Sequence, residues 1–132
     1  MNALRVLVAE DNEDFRALVV LLLNAEFHVV GDVRNGQLLV EAAVFLKPDV
    51  IVSDILMPIM GGISARTELI GRGLDYPFVF MTLLKVGNAV RGKSEGRLGY
   101  VHKIDLASEL NAAVRAVYNG EPYLSKSFRT KS

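Results

Sequence analysis

Asp49-Val50-Ile51-Val52-Ser53-Asp54-Ile55-Leu56-Met57-Pro58 is an apolar, β-branched run that ends on a carboxylate. Val50, Ile51 and Val52 suit a strand covered on both faces, and Pro58 can neither extend a central strand nor sit inside a helix. The run predicts a buried parallel strand that stops near Asp54. In an open α/β sheet the ligand crevice lies outside the carboxyl ends of the strands, so an acid at such an end faces the place where chemistry is done. A lone Asp there could equally cap the strand or turn the chain. The other strand ends decide between the readings.

Upstream, Arg5 to Ala9 is a short apolar run followed at once by Glu10-Asp11-Asn12-Glu13-Asp14. A strand leading into an acidic turn is expected, then a helix over Phe15 to Leu23 with Asn12 as N-cap and Glu13 and Asp14 in the first turn, where the helix dipole favours negative charge. No glycine marks this turn, so a phosphate-cradling loop or a dinucleotide fingerprint is unsupported. Phe27 to Asp32 reads as a second strand, Asn35-Gly36 as a turn, and Gln37 to Leu46 as a second helix that ends at Lys47-Pro48.

Downstream, Gly61-Gly62 breaks the loop after Asp54, and Ile63 to Ile70 suits a third helix fading at Gly71 and Gly73. Tyr76 to Met81 is a fourth strand ending on Thr82. From Leu83 to Gly96, Gly87, Gly92 and Gly96 each cost a helix about 1 kcal/mol against alanine, so a short or frayed fourth helix is expected. Tyr100 to His102 is a brief fifth strand ending at Lys103, and Ser108 to Tyr118 a fifth, amphipathic helix with Leu110, Val114 and Val117 on one face.

The alternation predicts an α/β protein: a doubly wound, five-stranded parallel sheet between helices, with right-handed connections. At 132 residues the chain suits one domain. Residues 1–121 are expected to form it, with 122–132 a tail or the start of a linker. Fifteen basic residues balance fifteen acidic ones, so no global field favours nucleic acid or an anionic membrane. There is no cysteine, which excludes a disulfide framework and thiolate metal ligands. No apolar run reaches membrane-spanning length, and the N-terminus enters a strand without signal-peptide regions, so a cytoplasmic location is expected.

Reading off the strand ends gives Glu10 and Asp11, then Asp54, Thr82 and Lys103, which a doubly wound sheet gathers at one edge. Three crowded carboxylates repel, and a bound cation is a usual remedy. Their hard oxygens suit magnesium, which keeps several waters and takes one or two protein carboxylates. A phosphoryl group on Asp54 could share its oxygens among that cation, the Lys103 ammonium and the Thr82 hydroxyl, with Asp54 as nucleophile. The plainer alternative is a structural ion pair between Lys103 and Asp54.

Glu10-Asp11, the stretch Val52-Ser53-Asp54-Ile55-Leu56-Met57-Pro58-Ile59-Met60-Gly61-Gly62, Thr82, and Gly96-Arg97-Leu98-Gly99-Tyr100-Val101-His102-Lys103 together resemble the receiver domain of two-component response regulators, in register over essentially the whole chain. The resemblance implies a flavodoxin-like (βα)5 fold with strand order 2-1-3-4-5, phosphorylated by a sensor histidine kinase with Mg2+. It assigns Asp54 as phosphoacceptor, Asp11 as a direct magnesium ligand, Glu10 as the acid that reaches the metal through water, and the Leu56 backbone carbonyl as a further ligand. Thr82 and Tyr100 match the switch pair, and Lys103 the lysine that bridges to the phosphoryl group.

The resemblance also implies an output surface, and a homodimer contact, on the fourth helix, fifth strand and fifth helix, roughly Val86 to Tyr118. The stretch from Glu109-Leu110 through Gly120-Glu121-Pro122-Tyr123-Leu124-Ser125 resembles receivers that precede a helix-turn-helix DNA-binding domain, which makes transcription an expected output. No such domain lies within these residues, and this domain itself is expected to bind neither nucleic acid nor membrane.

Three departures bear on switching. Leu83 stands where the family usually has a small residue, Ile104 where proline is frequent, and the fourth helix is rich in glycine. Leu83 and the unusual fourth helix motivate an alternative in which the fold acts as a phosphorylation-independent protein-binding module. An aspartyl phosphatase of the haloacid-dehalogenase kind is disfavoured, because the second acid expected two residues after the nucleophile is Leu56. Leu56 and Leu84 are apolar at positions that influence the hydrolytic water, so slow self-dephosphorylation is expected.

Overall fold

The computed structural model describes residues 3–83 and 96–129. The chain runs β1 (Arg5–Ala9), α1 (Glu13–Asn24), β2 (His28–Val33), α2 (Gly36–Leu46), β3 (Val50–Asp54), α3 (Gly62–Gly71), β4 (Phe78–Thr82), β5 (Leu98–His102), a 3-10 turn (Lys103–Asp105), α4 (Leu106–Tyr118), β6 (Tyr123–Leu124) and α5 (Lys126–Arg129). The helix expected within 83–96 falls almost wholly outside the described residues.

All neighbouring strands pair in parallel, in the order β2-β1-β3-β4-β5-β6. The expected order 2-1-3-4-5 is therefore present, but the sheet has six strands where the sequence predicts five. The sixth is built from residues 123–124, in the stretch expected to be a tail or linker, and it pairs Gly99 with Tyr123 and Tyr100 with Leu124.

Strand alternation sorts the core into two layers, as the pleat requires. Val6, Val8, Val50, Val52, Val79, Met81 and Val101 face Val19 and Leu23 of α1 and Leu110, Ala113, Val114 and Val117 of α4. Leu7, Ala9, Ile51, Phe78, Phe80 and Leu98 face Leu39, Val40 and Ala43 of α2 and Ala65 and Leu69 of α3. Every residue of β3 and β4 is buried, which explains why these two read as apolar runs without alternation up to their polar carboxyl ends.

Local signals set the helix ends. The Asn12 carboxamide oxygen accepts from the Phe15 amide at 2.8 Å, so α1 starts two residues before the expected Phe15. Lys47 closes α2 in the left-handed region with φ 49°, because Pro48 bars it from the right-handed helical well. Strand β5 begins at Leu98 rather than Tyr100. A glycine inside the run hides this start, yet a Cβ on Gly99 would stand 3.2 Å from Val117 and 3.4 Å from Tyr123. The strand needs that gap to let α4 and β6 approach.

Candidate functional site

The carboxyl ends of β1, β3 and β5 bring Glu10, Asp11, Asp54 and Lys103 together. Glu10, Asp11 and Asp54 each offer a carboxylate oxygen within 4.8 Å of the others. The Lys103 ammonium donates to Asp54 Oδ2 at 2.7 Å and to Glu10 Oε1 at 3.2 Å. Asp54 and Glu10 are 7% and 1% exposed, whereas Asp11 lies open to solvent.

Each acid is held by backbone. Glu10 Oε2 accepts from the Asn12 amide at 3.0 Å, and Asp54 Oδ1 from the Leu56 amide at 3.3 Å. The first turn of α3 packs on the back of Asp54. A Cβ at Gly62 would stand 2.3 Å from the Asp54 carbonyl oxygen and 2.6 Å from Ser53 Oγ, so only glycine fits there.

The charge balance is uneven. Burial most of all, and then the nearby Asp54 carboxylate, raise Glu10 against the downward pull of the Asn12 amide and the Lys103 ammonium, and leave it at about 7. For Lys103, burial works against the charged form, but bonds and attraction to Asp54 and Glu10 outweigh it and hold the ammonium above its ordinary value. One ammonium thus faces three acids. The excess negative charge and the hard oxygen donors fit a divalent cation.

The remaining predicted residues lie nearby or one layer away. Thr82 ends β4 and is 2% exposed. The Leu56 side chain is 62% exposed. Tyr100 does not join the acids: its half-buried ring lies on the α2/α3 layer with its centroid 5.5 Å from that of Phe80. Leu83 is exposed and lines, with Phe15, Leu18, Lys103 and Ile104, a cleft of about 610 Å3 beside the acids. Leu84 and the part of the expected output face between Val86 and Glu95 lie outside the described residues.

Three contributors escaped the sequence reading. The Phe15 ring carries the Lys103 ammonium 4.4 Å from its centroid, and its place in the first turn after the acidic residues is the only signal of that contact. Arg16 donates to the Glu10 carbonyl at 2.8 Å and to Asp32 at 3.0 Å, tying the acidic turn to β2. His102 bonds the backbone that follows β4, at Leu83, and that follows β5, at Ile104, and nothing in the local pattern announces it. Among the described residues no helix is long and apolar enough to cross a membrane.

Comparison with known proteins agrees with this geometry. The chain is 34% identical over 124 residues to the transcriptional regulatory protein LiaR of Bacillus subtilis, covering 92% of this chain and 59% of that protein. It is 33% identical over 129 residues to the transcriptional regulatory protein DegU of Brevibacillus brevis, covering 93% and 53%. The chain therefore spans between half and two thirds of the length of these relatives. Among solved structures it resembles a LuxR-family DNA-binding response regulator from Staphylococcus aureus, with TM-score 0.76 and 25% identity over 88% of this chain and 99% of that one. It also resembles the response regulator ChrA of a heme-sensing two-component system, with TM-score 0.76 and 26% identity over 97% and 63%. Residues 6–115 match the family model described as the response regulator receiver domain, and the chain belongs to that family of two-component signalling domains.

Proposed function

We propose that the chain is a phosphorylation-activated switch in which Asp54 takes a phosphoryl group from a sensor histidine kinase. The observation that carries this is the joint hold of Lys103 on Asp54 and Glu10, with Asp11 in the same cluster. A carboxylate oxygen of Asp54 attacks phosphorus, the bond from phosphorus to the donor nitrogen breaks, and the departing imidazole takes up a proton. Lys103 then exchanges part of its bond to Asp54 for one to the phosphoryl oxygens, and the Thr82 hydroxyl donates to another.

Asp11 and Asp54 would hold Mg2+ with the Leu56 carbonyl, and Glu10 would reach it through water. When bound, magnesium supplies positive charge against the phosphoryl oxygens. Thr82 moving toward the phosphoryl group frees space that the Tyr100 ring fills, which alters β5 and the face running on to Tyr118. That face serves a homodimer contact, and the transcriptional regulators among the relatives support transcription as the output. The exposed, apolar Leu56 cannot orient an attacking water, so the acyl phosphate is long-lived, and Leu56→Asn shortens its lifetime.

Treatment with acetyl phosphate and magnesium tests the reading. Intact mass gains one phosphoryl group in the wild type and none in Asp54→Asn; no gain in a folded wild type would remove it.

A further inference from the structure

We propose that His102 is a positioning residue for phosphoryl transfer at Asp54: it fixes the backbones that follow Thr82 and Lys103, and is itself held by Ser125 at its amide and Phe128 at its ring. The proposal rests on the reading of Asp54 given above.

His102 ends β5, opposite Thr82 in the strand register and directly before Lys103. Its ring Nε2 lies 3.1 Å from the Leu83 carbonyl oxygen, and its Nδ1 accepts from the Ile104 amide at 3.1 Å. A carbonyl only accepts and an amide only donates, so one tautomer, with the proton on Nε2, makes both bonds at once. A single ring therefore spans the residue after Thr82 and the residue after Lys103. These are the two segments that must hold a hydroxyl and an ammonium against the phosphoryl oxygens.

The residue is in turn held from the other side, at its backbone and at its ring. The His102 amide donates to Ser125 Oγ at 2.9 Å, and Ser125 Oγ donates to Asp105 Oδ2 at 2.7 Å. Asp105 also accepts from the Ser127 amide at 2.9 Å and the Ser127 hydroxyl at 3.0 Å. Phe128, 8% exposed, meets the imidazole edge-on with centroids 5.7 Å apart. A residue that only filled this strand end would be apolar like its neighbour Val101, and would leave the Leu83 carbonyl and the Ile104 amide to other partners. Glu10 and Asp54 come from the ends of β1 and β3 and are held by other backbone, the Asn12 and Leu56 amides. Changing the ring therefore alters the placement of Thr82 and Lys103 while Glu10 and Asp54 keep the backbone bonds that position them.

The test compares wild type, His102→Leu and His102→Asn as the full chain. Magnesium affinity is measured by calorimetry with the metal alone, and phosphoryl uptake from acetyl phosphate at saturating magnesium by intact mass. His102→Leu is expected to take up phosphoryl about tenfold more slowly, since misplacement of about 1 Å at a reacting centre costs up to about a hundredfold, with magnesium bound no more weakly than by the wild type. His102→Asn restores an acceptor for the amide two residues on and recovers part of the rate. Should the Leu variant fail to fold, Phe128→Ala keeps both ring bonds but removes their seat, and is expected to slow uptake without weakening magnesium binding. Wild-type rates in folded variants, or magnesium affinity falling in step with the rate, would overturn the proposal. No uptake by the wild type would instead bring down the reading of Asp54, and this proposal with it.

Discussion

The Lys103 ammonium lies 2.7 Å from the Asp54 carboxylate across 49 residues of sequence, and the same ammonium reaches Glu10 at 3.2 Å. This is a partly buried cation shared by two carboxylates, seated on the face of Phe15. Removing one partner of such a pair costs far more than the pair itself contributes, because an uncompensated charge is left behind.

Lys103→Met is therefore expected to lower stability by about 2 kcal/mol in the presence of a chelator, with much of the loss recovered when magnesium is added. Urea unfolding with and without magnesium measures both values. Equal losses in the two conditions would mean that the cation does not replace the missing charge.

Glu10 makes stability depend on pH in a defined direction. Its folded value of about 7 lies above the ordinary 4.5, so between the two the folded chain binds more protons than the unfolded one. Stability from this group is therefore lost as pH rises, starting near the ordinary value and levelling off above the raised one. Glu10→Gln keeps an acceptor for the Asn12 amide and abolishes the titration. In chelator the variant should gain on the wild type between about pH 5 and about pH 8, read from denaturant midpoints. A gap that does not widen with pH contradicts the assignment.

Gly62 couples the third helix to the site. A Cβ there would meet the Asp54 carbonyl oxygen at 2.3 Å, well inside any van der Waals contact, and this neighbour is strand backbone that cannot turn aside. Gly62→Ala is expected to cost about 3 kcal/mol and to reduce phosphoryl uptake by moving Asp54. Thermal melts and the acetyl phosphate assay check the two effects together. A variant as stable as the wild type would show that the helix start can shift freely.

Much of this was legible because charge interrupts pattern. Glu10 and Asp54 each follow a largely apolar run and Lys103 a short strand, and the strand count alone places such ends at one edge. The sixth strand was not legible: two residues, Tyr123 and Leu124, cannot display a period of two. They dock through bonds from Ser125 and Ser127 to Asp105, about twenty residues back. Phe15 reads as helix core, and only the tertiary approach of Lys103 reveals its second role. His102 is silent for the same reason, since its two ring bonds join loops that the sequence holds apart.

The docked segment has its own pH signature. Burial disfavours the Asp105 carboxylate, but the hydroxyls of Ser125 and Ser127 and the Ser127 amide outweigh it and hold the acid below its ordinary 3.8. That contribution is present above the ordinary value and fades as pH falls toward the lowered one. Asp105→Asn should weaken docking by about 1–3 kcal/mol. Hydrogen exchange of the Ser125 and Ser127 amides should rise in the variant, while that of β3 should not. Unchanged exchange at both serines would contradict the role given to Asp105.

The most direct test of the central claim is chemical. After acetyl phosphate treatment with magnesium, borohydride reduction converts an acyl phosphate to an alcohol that peptide mass spectrometry can locate. The account predicts conversion at Asp54 alone, abolished by chelator and by Asp54→Asn. Conversion at Glu10 or Asp11, or none anywhere in a chain that has gained phosphoryl mass, would contradict it.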